Sequence, residues 1–110
     1  MTTRYRIDLS YDGGEYGGWQ IQPNTVTVQQ VLQKAIAQLT GQQVAVHGSG
    51  RTDQGVHARR QTAHFDLPAA CRIDSLKKAL NALLPADIRI HRAASVHAKF
   101  HARLDAKGKE

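Results

Sequence analysis

"QVAVHGSGRTDQGVHARRQTAHFDL", residues 43–67, alternates apolar and polar positions at both ends and abandons the alternation in the middle. "QVAVH" alternates briefly, while "ARRQTAHFDL" places Ala63, Phe65 and Leu67 on one side, the period of a half-buried strand. Between them "GSGRTDQGVHA" (48–58) packs three glycines, one Arg, one Asp and one His into eleven positions. Two strands joined by a glycine-rich loop are therefore predicted.

Upstream, "TVQQVLQKAIAQLTG" sets Val28, Val31, Leu32, Ala35, Ile36 and Leu39 on one helical stripe, with Thr27 and Gln30 placed for a capping box and Gly41 for the stop. "DGGEYGGWQIQPN" before it holds four glycines and a proline, a flexible loop carrying the single tryptophan, Trp19. "RYRIDLSY" then puts Tyr5, Ile7, Leu9 and Tyr11 on one side of a first strand. Downstream, Asp74 is placed to cap a helix in which Leu76, Ala79, Leu80, Leu83 and Leu84 recur until Pro85, and "DIRIH" restarts the alternation. The order βαββαβ predicts an α+β domain of ferredoxin-like, split βαβ architecture over residues 1–96. Its four-stranded antiparallel sheet carries both helices on one face and leaves the other face free for a partner. "VHAKFHARLDAKGKE" has basic character and weak periodicity, so residues 97–110 read as an extension leaving the domain.

At 110 residues the chain has the size of one domain, large enough to bury roughly two thirds of its unfolded surface. No apolar run approaches the roughly 20 residues of a membrane span, and "MTTRYRID" lacks a signal-peptide core, so a soluble, cytoplasmic protein is expected. Cys71 is the only cysteine, which excludes an internal disulfide and gives no sign of a zinc site. The net charge of +6 is unevenly spread. Residues 1–50 hold Arg4, Arg6 and Lys34 against Asp8, Asp12 and Glu15, and sum to zero. The excess lies after residue 50, where Arg51, Arg59, Arg60, Arg89, Arg92, Lys99, Arg103, Lys107 and Lys109 could make a positive face for a polyanion.

The glycine-rich segment admits several chemistries. A phosphate-binding P-loop needs Gly-Lys-Ser/Thr, whereas Arg-Thr-Asp follows Gly50 and the carboxylate would repel phosphate. A calcium loop needs oxygen ligands at alternating positions, and only Asp53 is suitably placed. His47 and His57 lie at opposite ends without a second pair of ligands, so no metal is predicted. If residues 51–53 are extended, Arg51 and Asp53 point to the same side, and the cation keeps the carboxylate ionised for nucleophilic or basic work. The competing structural role is an Asp53 that caps a glycine-rich turn.

"GRTDQGVHA" (50–58) resembles the signature of the TruA family of tRNA pseudouridine synthases, and "YDGGEYGGWQIQ" (11–22), "NALLPADIRI" (81–90) and "FHAR" (100–103) resemble further family blocks in the same order. The resemblance implies isomerisation of uridine to pseudouridine in the tRNA anticodon stem-loop, at positions 38 to 40, without cofactor or metal. It implies Asp53 as the catalytic nucleophile, attacking either the uracil ring or the anomeric carbon of the sugar, and Arg51 as the residue that helps extrude the base. Thr52, Gln54, His57, Arg59, Tyr11 and Arg103 fall in the matching blocks as candidate RNA-binding residues. Tyr11 also fits the buried side of its strand, and Trp19 fits a local anchor better than a stacking platform. Arg59 and Arg60 would lie on opposite strand faces, and the Phe100–Arg103 block suits a hinge at the cleft edge.

Family members continue with a Tyr that stacks on the target base and a second domain that supplies a basic partner for the Asp, whereas this chain stops at Glu110. The expectation is an N-terminal half, natural or engineered, that lacks its C-terminal partner half and has little turnover alone. Two other readings fit the residues: a non-catalytic RNA-binding module of similar fold, and self-association, as a homodimer, through exposed apolar surface or a sheet edge.

Overall fold

Tyr5, Ile7, Leu9 and Tyr11 recur at every second position, and in the computed structural model they form the buried side of β1 (Thr2–Tyr11). The structure describes residues 2–12, 14, 16–19, 21–48, 58–68, 75–97 and 99–100. After β1 come α1 (Val28–Thr40), β2 (His47–Gly48), β3 (Ala58–Pro68), α2 (Leu76–Leu83) and β4 (Ile88–Val96). The sheet order is β2-β3-β1-β4 with every neighbouring pair antiparallel. Each helical crossover thus joins two strands with a third inserted between them, which is the split arrangement expected.

Paired residues share a face. Tyr5 opposes Phe65 and Ile7 opposes Ala63, and these side chains join Ile88, Ile90, the α1 residues Val28, Leu32, Ala35 and Ile36, the α2 residues Leu76 and Leu80, and Leu84 just after α2 in one core. Both helices therefore cover the same side of the sheet. In α1, Thr27 Oγ1 accepts from the Gln30 backbone N–H at 3.3 Å, and Gly41 closes the helix at φ 74°, its N–H reaching Ala37 O at 2.8 Å.

The structure corrects three expectations. β2 is shorter than residues 43–47 because α1 takes the preceding backbone: Gln33 Oε1 accepts the Val46 N–H at 2.9 Å and Gln29 Nε2 donates to Val46 O at 2.7 Å. Those groups cannot also join the ladder. At α2 the N-cap position is Ser75, with no side-chain cap hydrogen bond, and Asp74 lies outside the described residues; Leu83 is 38% exposed, so the buried stripe is Leu76, Leu80 and Leu84. The helix-free face is also not bare. Phe100, at the end of a turn closed by its N–H to His97 O at 2.9 Å, comes back over it. The Arg6 guanidinium lies 5.4 Å from its ring centroid, His64 meets it edge-on at 6.1 Å, and Arg4 Nη1 donates to its carbonyl at 2.6 Å.

Candidate functional site

The glycine-rich segment is rooted at Gly48 and Ala58. Residues 49–57 between them lie outside the described residues, so Arg51, Thr52, Asp53, Gln54 and His57 are not placed, and neither are Arg103 and the side chain of Arg59. The roots themselves are well defined. Ala58 pairs with Tyr11 across the β1–β3 ladder, and Gly48 pairs with Ala63. A Cβ on Gly48 would stand 2.7 Å from Cε2 and Nε1 of Trp19, so the indole packs flat against backbone where only glycine leaves room. Trp19 is 3% exposed and stacks on Tyr11 with ring centroids 6.2 Å apart. Tyr11, 4% exposed, is a core side chain, as the alternation of its strand predicts. Both aromatics brace the place where the segment leaves the sheet.

The described part of the Gly-rich loop before α1 is tied down rather than loose. Gly17 N–H donates to Val26 O at 2.8 Å, Val28 N–H to Gly18 O at 3.2 Å and Gln29 N–H to Trp19 O at 3.0 Å. Gln29 adds a side-chain contact, its Oε1 accepting from Ile21 N–H at 3.0 Å. At the other side, Tyr16 OH donates to Asp87 Oδ1 at 2.6 Å, Asp12 N–H donates to Asp87 O at 2.9 Å, and Asp12 Oδ1 accepts from Gly14 N–H at 3.0 Å. Trp19 is therefore held from both α1 and the loop.

On the helix-free face, one end is electrically spent. Arg4 grips Asp66 with both branches, Nε to Oδ1 at 2.8 Å and Nη2 to Oδ2 at 3.0 Å. The hydrogen bond from Arg4 holds the Asp66 carboxyl below its ordinary range and raises the guanidinium in return. Asp8, buried beside them, accepts from Arg6 Nε at 3.2 Å and from Thr62 Oγ1 at 2.9 Å. His64 is buried and stacks on His47 at 5.0 Å.

The other end differs because both neighbours of β1 are irregular there, β3 opposite Ser10 and β4 between the partners of Asp8 and Leu9. On β3, Leu9 faces Gln61 but Tyr11 faces Ala58, leaving residues 59 and 60 opposite Ser10. Regular pairing is interrupted there; Arg60 is exposed, and the side chain of Arg59 lies outside the described residues. On β4, Asp8 faces Arg92 and Leu9 faces Ile90, so His91 is the extra residue. Its Nε2 shares a hydrogen bond of 2.7 Å with Ser10 Oγ on the face opposite Leu9 and Tyr11. Arg92, paired with Asp8, is on that same face and exposed. Arg89 leaves the expected positive face: its guanidinium caps α2, donating to Asn81 O at 2.9 Å, Leu84 O at 3.1 Å and Pro85 O at 3.0 Å. Sequence periodicity could not find the cluster around Ser10, because a bulge is a property of two strands together.

Among the described residues no helix is long and apolar enough to cross a membrane, and no group of three or more His, Cys, Asp and Glu could hold a metal ion.

Comparison with known proteins gives this frame a context. A family model described as tRNA pseudouridine synthase matches residues 9–105. The chain is 53% identical over 108 residues to tRNA pseudouridine synthase A of Lacticaseibacillus casei, covering 97% of this chain and 44% of that protein. It is 49% identical over 107 residues to the protein of that name from Ruminiclostridium cellulolyticum, covering 97% and 44%. Against the one from Citrifermentans bemidjiense it is 47% identical over 104 residues, covering 94% and 42%. The chain thus spans less than half the length of these relatives. With a match over most of its length and a sheet whose braced end roots the glycine-rich segment, the chain belongs to the tRNA pseudouridine synthase family.

Proposed function

We propose that this chain contributes the nucleophile-bearing part of a uridine-to-pseudouridine isomerase acting on the tRNA anticodon stem-loop. The observation that carries the proposal is the family match over residues 9–105, which includes the Arg51–Asp53 pair within the glycine-rich segment. Asp53 adds to the uracil ring or to the anomeric carbon. The bond from N1 to C1′ breaks, the base turns, and a bond from C5 to C1′ forms. C5 gives up its proton to solvent, N1 gains one, and the carboxylate is released. Atoms and electrons balance without oxidant, reductant or cofactor. Arg51 helps extrude the base, which costs a few kcal/mol. Thr52, Gln54, His57, Arg59 and Arg103 contact the RNA around it. Tyr11 serves the reaction only indirectly, by supporting the root at Ala58.

Residues 1–96 form the domain and 97–110 lead to the remainder of a longer enzyme, which supplies the opposite wall of the cleft. The enzyme works in the cytoplasm. The non-catalytic RNA-binding reading draws little support from the sheet, because the described strand residues of the helix-free face offer His47, His64 and His91 but no Phe, Tyr or Trp as a base platform.

The test uses the full-length protein and a tRNA labelled with tritium at C5 of its uridines, since forming the new bond expels that hydrogen into water. Asp53→Asn is expected to lower tritium release by at least about a thousandfold while tRNA affinity persists. Unchanged release would overturn the assignment.

A further inference from the structure

We infer that the paired bulges beside Ser10 build a phosphate-binding subsite for the RNA, with Arg60 and Arg92 as positioning residues; the inference rests on the family's RNA substrate but not on Asp53. Three observations combine. First, the acidic groups farther along this face, Asp8 and Asp66, are paired with Arg6 and Arg4, whereas Arg60 and Arg92 have no acidic partner among the described residues. Among the described strand residues of this face, positive charge without an acidic partner is therefore left at the end where β3 receives the glycine-rich segment. Asp12 lies at the same end, and its carboxylate accepts from the Gly14 N–H.

Second, bulges re-aim side chains, and here two of them fall at adjoining levels on either side of β1. The β4 bulge turns His91 and Arg92, consecutive residues that a regular strand would send to opposite faces, onto one face. The β3 bulge interrupts the ladder beside Arg60 on the other side of β1. Arg60 on β3 and Arg92 on β4 thus stand on the two strands that flank β1, about two strand spacings apart, on the order of 10 Å, with Ser10 on the strand between them and His91 beside Arg92. Two long guanidinium side chains at that separation can hold neighbouring phosphates of one nucleic-acid strand, while the Ser10–His91 pair offers hydrogen bonds in the gap.

Third, the cluster shares its central strand with the root of the catalytic segment, so a strand held at Arg60 and Arg92 is held at a fixed offset from it. Binding there would contribute to placement of the substrate more than to the chemical step.

The experiment titrates an anticodon stem-loop RNA onto the full-length protein at several NaCl concentrations, for wild type, Arg60→Ala, Arg92→Ala, the double variant and the Arg→Lys counterparts. Each Ala substitution is expected to flatten the slope of log affinity against log salt by about 0.7 to 0.9, the double variant by roughly twice that, and the Lys variants very little. Steady-state turnover should show KM raised and kcat near wild type. Unchanged slopes in both Ala variants would overturn the subsite. So would weakened binding with an unchanged slope and a lowered melting temperature, which would mean that these arginines instead support a protein contact. If Asp53→Asn left tritium release intact while the slopes still fell, the catalytic assignment would fail and the subsite would stand.

Discussion

Gly48 is required by its neighbour rather than by its own backbone angles: its missing side chain is the space into which the Trp19 indole fits. Gly48→Ala should therefore cost about 1–3 kcal/mol through overpacking. Trimming the ring in a Trp19→Leu background should recover part of that loss, read as non-additivity of denaturation free energies. An equal cost of Gly48→Ala in both backgrounds would mean that the ring is not what excludes the methyl. This contact was half legible. The local composition marked Trp19 as an anchor, but its counterpart lies 29 positions away in a segment whose glycines looked equivalent. Tyr11 was legible as buried from its alternation, and the family resemblance pulled it towards RNA. The structure buries the ring at 4% exposure, in line with the alternation.

At the scale of single elements, α1 was the most readable, because a helix needs only its own residues to show a stripe and its caps. Thr27→Ala should destabilise by about 1 kcal/mol, seen as a lower denaturation midpoint at constant slope. β2 was the least readable: its alternation extends to residue 43, but Gln29 and Gln33 claim the backbone of Val46, a competition invisible in a one-dimensional pattern. The Arg4–Asp66 pair between β1 and β3 is similar, since both residues were predicted to face outward but their meeting depends on register. Its effect has a definite sign. Asp66 titrates below its ordinary value in the fold, so its contribution is present above the unfolded carboxyl range and disappears as pH falls through the lowered folded value. Both side chains are partly exposed, 22% and 38%, so the contribution is at most about 1 kcal/mol and weakens with salt. Comparing wild type with Asp66→Asn from pH 6 down to pH 2, the stability difference should shrink towards zero at the acid end. A difference independent of pH would show that the pair is not its source.

For the molecule as a whole, the order of elements led to the right sheet topology, and the imbalance of charge towards the second half was plain in the composition. Which cations are usable was not. Arg89 is consumed by the end of α2, while Arg92 is brought out by a bulge that its own strand does not announce. The chain spans 44% of the length of a relative 53% identical to it, and the proposed function takes the second wall of its cleft from outside it. The 110-residue chain alone is expected to release little or no tritium from labelled tRNA, and the full-length protein to release it readily. Robust release by the short chain would show that one wall suffices.

The central position of β1 has a further consequence, for the way the molecule comes into being. The earliest of the four strands in chain order is one with a neighbour on each side, and Arg4 meets its partners at separations of 62 and 96 residues. Such distant pairings make closure entropically late and folding slow. Until β4 has been synthesised, β1 lacks one of its two neighbours, so a pause in translation before that point leaves one edge of β1 unpaired.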